Sequence, residues 1–155
     1  MTKMRGCGEF DSLWDQRTTI QDADGMTYEL LGIEDLVRAK KTQRDKDWPM
    51  IRRLVDAHYD QNRDEPTTDR VFFWLRESRT PDVLIRLAVE HPESLREMIE
   101  IRPLLAEAMA ANDNALTQEL QKEQAVEREA DRQYWRPLVK ELEAMRLAKR
   151  RHREG

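Results

Sequence analysis

The sequence predicts a mainly α protein (α+β), with a short N-terminal β-hairpin packed on a helical body that has a long C-terminal helix. Two observations predict this fold class. No glycine lies between Gly32 and Gly155, which favours helices joined by proline and polar turns. The 155-residue chain is also 37% charged and has a mean hydropathy of -0.88, which is typical of long helices with solvated flanks.

The hairpin is predicted from two short β-leaning runs, residues 17–21 and 26–31, on either side of an Asp-Gly turn. Asp24-Gly25 is a dipeptide that tight hairpin turns favour. Asp22 and Asp24 also have the spacing of a paired-carboxylate motif. Aspartate at a turn tip accepts local backbone hydrogen bonds, so we interpret both residues as turn residues.

Helices are predicted from Ile33 onward, with breaks at residues 45–48, 62–66, 79–81 and 91–92. Thr80-Pro81 is typical of a helix cap followed by proline at the first helical position. The core is predicted from apolar residues that recur at helical spacing, and four tryptophans are expected as packing anchors. The core residues are Val71, Phe72, Trp74, Leu75, Val83, Leu84, Leu87 and Ala88, and the other tryptophans are Trp14, Trp48 and Trp135.

The C-terminal segment is rich in Ala, Glu, Gln, Arg and Leu, which predicts one or two long amphipathic helices. Its stripe of Leu116, Leu120 and Val126 is thin for a coiled coil, and Pro137 should kink or restart the helix. We expect three parts: residues 1–60 with the hairpin and first helices, residues 61–111 as a helical body, and residues 112–155 as the long helix with a basic tail.

Composition excludes several classes of protein. The single cysteine, Cys7, excludes an internal disulfide and a cysteine-based zinc site, and it suits the reducing cytoplasm. His58, His91 and His152 are too scattered for a set of metal ligands. No window approaches the roughly 18 apolar residues of a membrane span, so we expect a cytoplasmic protein without a membrane partner.

Charge is distributed unevenly along the chain, although its net value is only -4. Residues 9–35 hold eight carboxylates against Arg17, whereas residues 36–55 hold seven basic residues against two carboxylates. The tail, residues 146–155, carries about +4 and is expected to be a frayed helix end or disordered. With no aromatic residues between its cations, it predicts only weak, salt-sensitive contact with nucleic acid.

The basic segment predicts either a phosphate grip or a solvated helix end. If residues 33–43 form one helix, Leu36, Lys40 and Arg44 share a face near its C-terminus, with Lys41 and Lys46 close by. Cations at this end also complement the negative end of the helix dipole, so the spacing fits both interpretations.

A family resemblance favours the phosphate grip. Residues 9–48, EFDSLWDQRTTIQDADGMTYELLGIEDLVRAKKTQRDKDW, resemble the closing part of small bacterial nucleotidyltransferase-like proteins with a DNA polymerase β type fold. This family includes toxins of abortive-infection and toxin-antitoxin systems. Its pattern of an aromatic, a hairpin, a LEDLI..K helix and an R.KD element is matched by Phe10, Trp14, Ile33, Glu34, Asp35, Leu36, Val37, Lys40, Arg44, Lys46 and Asp47.

The resemblance implies that Lys40, Arg44, Lys46 and Asp47 are phosphate- or nucleotide-binding residues. The Gly-Ser and Asp-x-Asp motifs that hold magnesium in such enzymes would lie upstream of Glu9, and these 155 residues do not contain them. We therefore expect a non-catalytic relative or a shortened form. Magnesium and a nucleoside triphosphate are expected to bind only if the upstream motifs exist.

A second hypothesis is a helical protein–protein interaction module, either an adaptor or an antitoxin-like partner. Residues 112–145 favour it, because a long charged helix can bind a second copy of the chain or another protein.

Overall fold

The computed structural model describes residues 6–42 and 44–154, with side chains through residue 150. Gln43 and the side chain of His152 lie outside the described residues. The predicted mainly α architecture is confirmed, with a hairpin near the N-terminus and a long helix at the C-terminus. The elements are α1 Phe10–Asp15, β1 Thr18–Gln21, β2 Thr27–Leu30, α2 Ile33–Lys40, α3 Asp47–Asn62, α4 Thr68–Glu77, α5 Pro81–Glu90, α6 Pro92–Ile99, α7 Leu105–Met109 and α8 Asp113–Glu154.

The hairpin pairs β1 with β2 in antiparallel register, with Thr18 opposite Leu30 and Ile20 opposite Tyr28. Its turn confirms the interpretation of Asp22, whose Oδ1 accepts hydrogen bonds from the backbone N–H groups of Asp24 and Met26, both at 3.0 Å. Gly25 has a φ of +80°, a backbone conformation that is strained for residues with a side chain.

The two faces of the hairpin differ in chemistry. Because side chains alternate along a strand, Ile20, Tyr28 and Leu30 share one face, while Thr19 and Glu29 lie on the other. Thr19 and Arg17 both donate to Glu29 Oε2 at 2.7 Å. All eight strand residues are exposed, and Ile20, Tyr28 and Leu30 keep 46–47% of their surface accessible. The apolar face of the hairpin is therefore uncovered.

A close backbone contact fixes the base of the hairpin against the loop after α1. A Cβ atom added to Gly32 would lie 2.3 Å from the carbonyl oxygen of Gln16. Only glycine allows the two backbones to approach so closely, so Gly32 sets the direction from β2 into α2.

The hydrophobic core lies among α2 to α8 and confirms the predicted apolar positions of α4 and α5. Trp48 and Trp74 are buried as predicted, with Phe72 and Val83 partly buried against the core. Trp14 differs, because it is 45% exposed and stacks on Phe10. The buried core residues are Val37, Trp48, Ile51, Val55, Tyr59, Val71, Phe73, Trp74, Leu75, Leu84, Leu87, Ala88, Leu95, Met98, Leu104, Leu105, Ala108, Leu116 and Leu120.

Helix starts follow the predicted prolines. Pro81 and Pro92 occupy the first turns of α5 and α6. Thr80 precedes α5 as predicted, but its side chain makes no capping hydrogen bond to that helix. Instead its hydroxyl bonds the carboxylate of Asp56 at 2.8 Å and accepts from Arg52 at 3.0 Å, which ties the start of α5 to α3.

The last helix is continuous from Asp113 to Glu154, so the predicted restart at Pro137 does not occur. Leu116 and Leu120 are buried, but Val126 is 70% exposed and does not belong to their stripe. None of the described helices combines the length and apolar content needed to cross a membrane.

Candidate functional site

The predicted phosphate grip lies at the junction of α2 and α3. Because α2 ends at Lys40 and Lys41 follows it as the C-cap, Arg44 does not continue the helical face of Leu36 and Lys40. The prediction that these three residues share one face is therefore wrong. The chain instead turns back after Lys41 and enters α3 at Asp47.

Asp47 is the centre of this turn. Its carboxylate accepts a short hydrogen bond from the Thr42 hydroxyl and one from Arg44 Nε at 2.8 Å. The Trp48 indole N–H donates to the Thr42 carbonyl oxygen at 2.8 Å, which fixes the loop from the other side. These local side-chain hydrogen bonds hold the loop and compete with continuation of α2 toward Arg44.

The surroundings of Asp47 favour the ionised form of its carboxyl. Burial opposes ionisation, but the hydrogen bonds from Thr42 and Arg44 outweigh it, and the charges of Arg44 and Lys40 act in the same direction. The pKa of Asp47 is therefore lowered. Arg44 contacts Asp47 and the charge of Lys40 acts on it, so these cations surround a carboxylate that would repel a phosphate.

The cations of the junction differ in their freedom to meet a ligand. Arg44 pairs with Asp47, and Lys41 Nζ pairs with Glu77 at 2.7 Å. Among the described residues, neither Lys40 nor Lys46 forms an ion pair. The arrangement can therefore offer two lysines to an anion.

A second charged cluster, which we call the clasp, joins α8 to the body. Arg102 Nη2 and Arg79 Nη1 contact Glu123 Oε2 at 2.7 and 2.9 Å. Lys41 Nζ lies 3.1 Å from Glu127 Oε1, and Arg79 also bonds Glu127. The clasp consists of Lys41, Glu77, Arg79, Arg102, Glu123 and Glu127.

The side chains of the clasp are buried or partly buried, which indicates that the clasp stabilises the fold. Arg102 is 5% exposed and donates to the backbone carbonyl oxygens of Leu75, in the last turn of α4, and of Ser78, its C-cap, at 2.7 and 3.0 Å. Burial raises the pKa of Glu123, but hydrogen bonds and charge from Arg102 and the charge of Arg79 outweigh it, so the net shift is downward. The clasp therefore fixes the first half of α8 on the body.

A groove of about 640 Å³ runs between the start of α3, the α4–α5 loop and α8. The Trp48 ring forms part of its wall, with the Arg79 guanidinium 4.9 Å from the ring centroid. Arg128 also faces this ring and pairs with Asp45 at 2.9 Å. Its lining contains three arginines and three aspartates, Arg52, Arg79, Arg128, Asp45, Asp82 and Asp113, so the groove selects neither sign of charge.

Beyond Asp131, which is still buried at 2% exposed, α8 leaves the body. From residue 132 to residue 150 every side chain is exposed except that of Trp135, which is partly covered. Four apolar residues of this half recur at intervals of three, four and three, so they lie on one side of the helix. We call these residues, Trp135, Leu138, Leu142 and Met145, the seam. Leu138, Leu142 and Met145 expose 44%, 45% and 56% of their surface.

The sequence pattern predicts Trp135 only as a packing anchor and does not single out the seam. Its heptad spacing is the signal that could have found it. The sequence pattern instead singles out Leu116, Leu120 and Val126 in the first half of the helix, where Leu116, Leu120 and Asp131 are the buried residues.

The other sequence candidates are structural. Cys7 is buried, with its thiol 3.7 Å from the Asp35 carbonyl oxygen, and burial and the nearby Asp35 charge raise its pKa, so its thiolate is disfavoured. His58 Nδ1 accepts a hydrogen bond from the Trp74 indole at 2.9 Å. No group of three or more metal-ligating side chains occurs in the part of the chain that the structure describes.

In comparisons with known proteins, no family model matches the chain, and no curated protein or solved structure shows significant similarity to it.

Proposed function

We propose that this protein is a helical protein–protein interaction module, in which the body holds α8 so that its second half binds a partner. The observation that carries the proposal is the seam. Exposed apolar residues at heptad spacing, on a helix whose other faces are charged, are the feature by which amphipathic helices bind grooves or other helices.

The clasp supports this function because it holds α8 in an ordered helix. A helix that is free in solution must be ordered before it can bind, which costs conformational entropy. Arg79 and Arg102 hold the first half of α8 through Glu123, so that helix formation can propagate into the second half without a new nucleus. The seam is thereby presented in a preorganised helix.

Purification of the tagged protein from its native source tests the proposal. A partner should be recovered with the wild-type chain and lost with Leu142→Glu, because a charge in the seam disfavours its burial. Leu147→Glu is the matched control, since Leu147 is 58% exposed on the same half of α8 but lies off the seam. Equal recovery with all three chains would contradict the proposal.

A second candidate function is phosphate or nucleotide binding at the α2–α3 junction, as expected of a nucleotidyltransferase-related protein. It is supported by Lys40 and Lys46, which form no ion pair within the described residues. Titration with a nucleoside triphosphate and magnesium should then show weak, salt-sensitive binding that Lys40→Ala reduces and Lys140→Ala leaves unchanged. Equal binding by both variants would place the ligand elsewhere.

A further inference from the structure

Two uncovered apolar surfaces of this chain lie in regions of opposite charge. The hairpin face of Ile20, Tyr28 and Leu30 belongs to residues 9–35, where eight carboxylates oppose one arginine. The seam belongs to residues 132–150, where six basic residues oppose two carboxylates. The first region sums to about -7, although Glu34 and Asp35 are paired with Arg38 and Arg76 outside it, and the second region sums to about +4. The two regions are therefore complementary in charge.

A hairpin face and a helix are also suited to pack on each other, and the two surfaces have similar lengths. A two-stranded hairpin is marginally stable until it packs against a helix or further strands. Strands of four residues extend over roughly 13 Å, and the helix from Trp135 to Met145 rises by about 15 Å. One helix half is thus long enough to cover one hairpin face.

Pairing of two seams with each other fits less well. Leu116 and Leu120 face the body from the same side of α8 as Leu138 and Leu142, because α-helical positions repeat at 3.6 residues per turn. If two copies of α8 paired in parallel through their seams, the first half of α8 from one copy would run into the body of the other copy. Antiparallel seams would bring the two copies of Glu141 together and place Arg132 near Arg146 of the second copy, which are like charges.

We propose that the protein forms a reciprocal dimer, in which the seam of each copy packs on the apolar hairpin face of the other. This inference rests on the proposed function, because it assigns a partner to the same seam. Two identical contacts close the assembly, as twofold symmetry requires.

Sedimentation of the purified full-length chain over a concentration series tests the dimer. Tyr28→Glu and Leu142→Glu should each raise the dimer dissociation constant by at least ~100-fold, since each places a charge in both contacts. Thr27→Glu and Leu147→Glu are matched controls on the opposite hairpin face and off the seam, and they should leave it within about threefold. All four side chains are exposed. Because the Tyr28 hydroxyl donates to Asp22 Oδ2 at 3.1 Å, circular dichroism and urea unfolding check that each variant remains folded.

Crosslinking with a short bis-maleimide identifies the two surfaces that meet. A mixture of the Tyr28→Cys and Leu142→Cys chains should crosslink, whereas each variant alone should not. The wild-type chain is the control for Cys7, which is buried. Crosslinking of Leu142→Cys alone, or dimerisation of Tyr28→Glu equal to the wild type, would overturn the inference in favour of paired seams.

A wild-type chain that stays monomeric at about 100 µM would also overturn the inference. The proposed function fails separately. If Leu142→Glu still loses a partner from the native source while the pure protein is monomeric, the seam binds a different protein. If Leu142→Glu loses nothing in either experiment, both proposals fail.

Discussion

Arg102 holds Glu123 through two parallel contacts, Nε to Oε1 at 2.9 Å and Nη2 to Oε2 at 2.7 Å. This bidentate pair connects the segment between α6 and α7 to the first half of α8. Planar guanidinium and carboxylate groups in this arrangement form the strongest class of ion pair. Together with buried Leu116 and Leu120, it holds the first half of α8 on the body.

Removal of Arg102 should destabilise the fold strongly. Arg102→Ala leaves Glu123 without its bidentate partner and frees the carbonyl oxygens of Leu75 and Ser78. We expect the free energy of unfolding in urea to fall by about 3 kcal/mol. Arg132→Ala is the matched control, because Arg132 makes an exposed pair with Glu129, and it should cost under ~0.5 kcal/mol. A loss below ~1 kcal/mol for Arg102→Ala would contradict this role.

The clasp should also make stability depend on acid. The folded pKa of Glu123 is below its ordinary value of 4.5, so the unfolded chain binds more protons in this range. Its contribution is complete above about pH 4.5 and is lost as the pH falls through the folded pKa. Urea midpoints measured from pH 7 to pH 3 should fall less steeply below 4.5 for Glu123→Gln than for the wild type. If the urea midpoints of the two chains fell in parallel with pH, Glu123 would be excluded as the source of this acid dependence.

His58 should add a second acid dependence to the stability. Burial lowers its pKa from 6.5, and the nearby charge of Arg70 lowers it further, while Glu34 opposes the shift. The neutral ring accepts from Trp74, so stability should be complete above pH 6.5 and fall below it until the folded pKa is passed. Proton NMR of the His58 ring should give a titration midpoint under 6.5. A midpoint above 6.5 would show that the charged ring is favoured.

Gly32 should not tolerate a side chain. In Gly32→Ala the new methyl group would lie 2.3 Å from the Gln16 carbonyl oxygen, so the backbone of the hairpin base must move. We expect a loss of about 1–3 kcal/mol in the free energy of unfolding. Gly8→Ala is the matched control, because its nearest atoms lie at an ordinary 3.7 Å, and it should be close to neutral. Similar urea midpoints for the two variants would argue against the close contact.

Local chemistry made much of the fold predictable. Asp24-Gly25 located the hairpin, and Pro81 and Pro92 located the starts of two helices, because turn and proline preferences act within a few residues. The end of α2 was not predictable in this way. It depends on Asp47 and Trp48 bonding back to Thr42, which pattern and propensity do not reveal.

The candidate site was less predictable than the fold. The basic segment predicts Lys41 as one of several cations near a phosphate, but its partner Glu127 lies 86 residues away in the chain. Sequence spacing carries no information on such a pair. The seam could have been found from its spacing, but its exposure follows from where the body ends along α8, which only the assembled fold defines.

The central claim, that the seam binds a protein, is tested most directly by photo-crosslinking in cells of the native source. A photoreactive amino acid placed at Leu142 should yield a covalent adduct with a protein, which the dimer proposed above would make a second copy of this chain. The same group at Leu147 should yield little or none. Equal adducts at both positions, or none at either, would contradict the assignment of the seam as a binding surface.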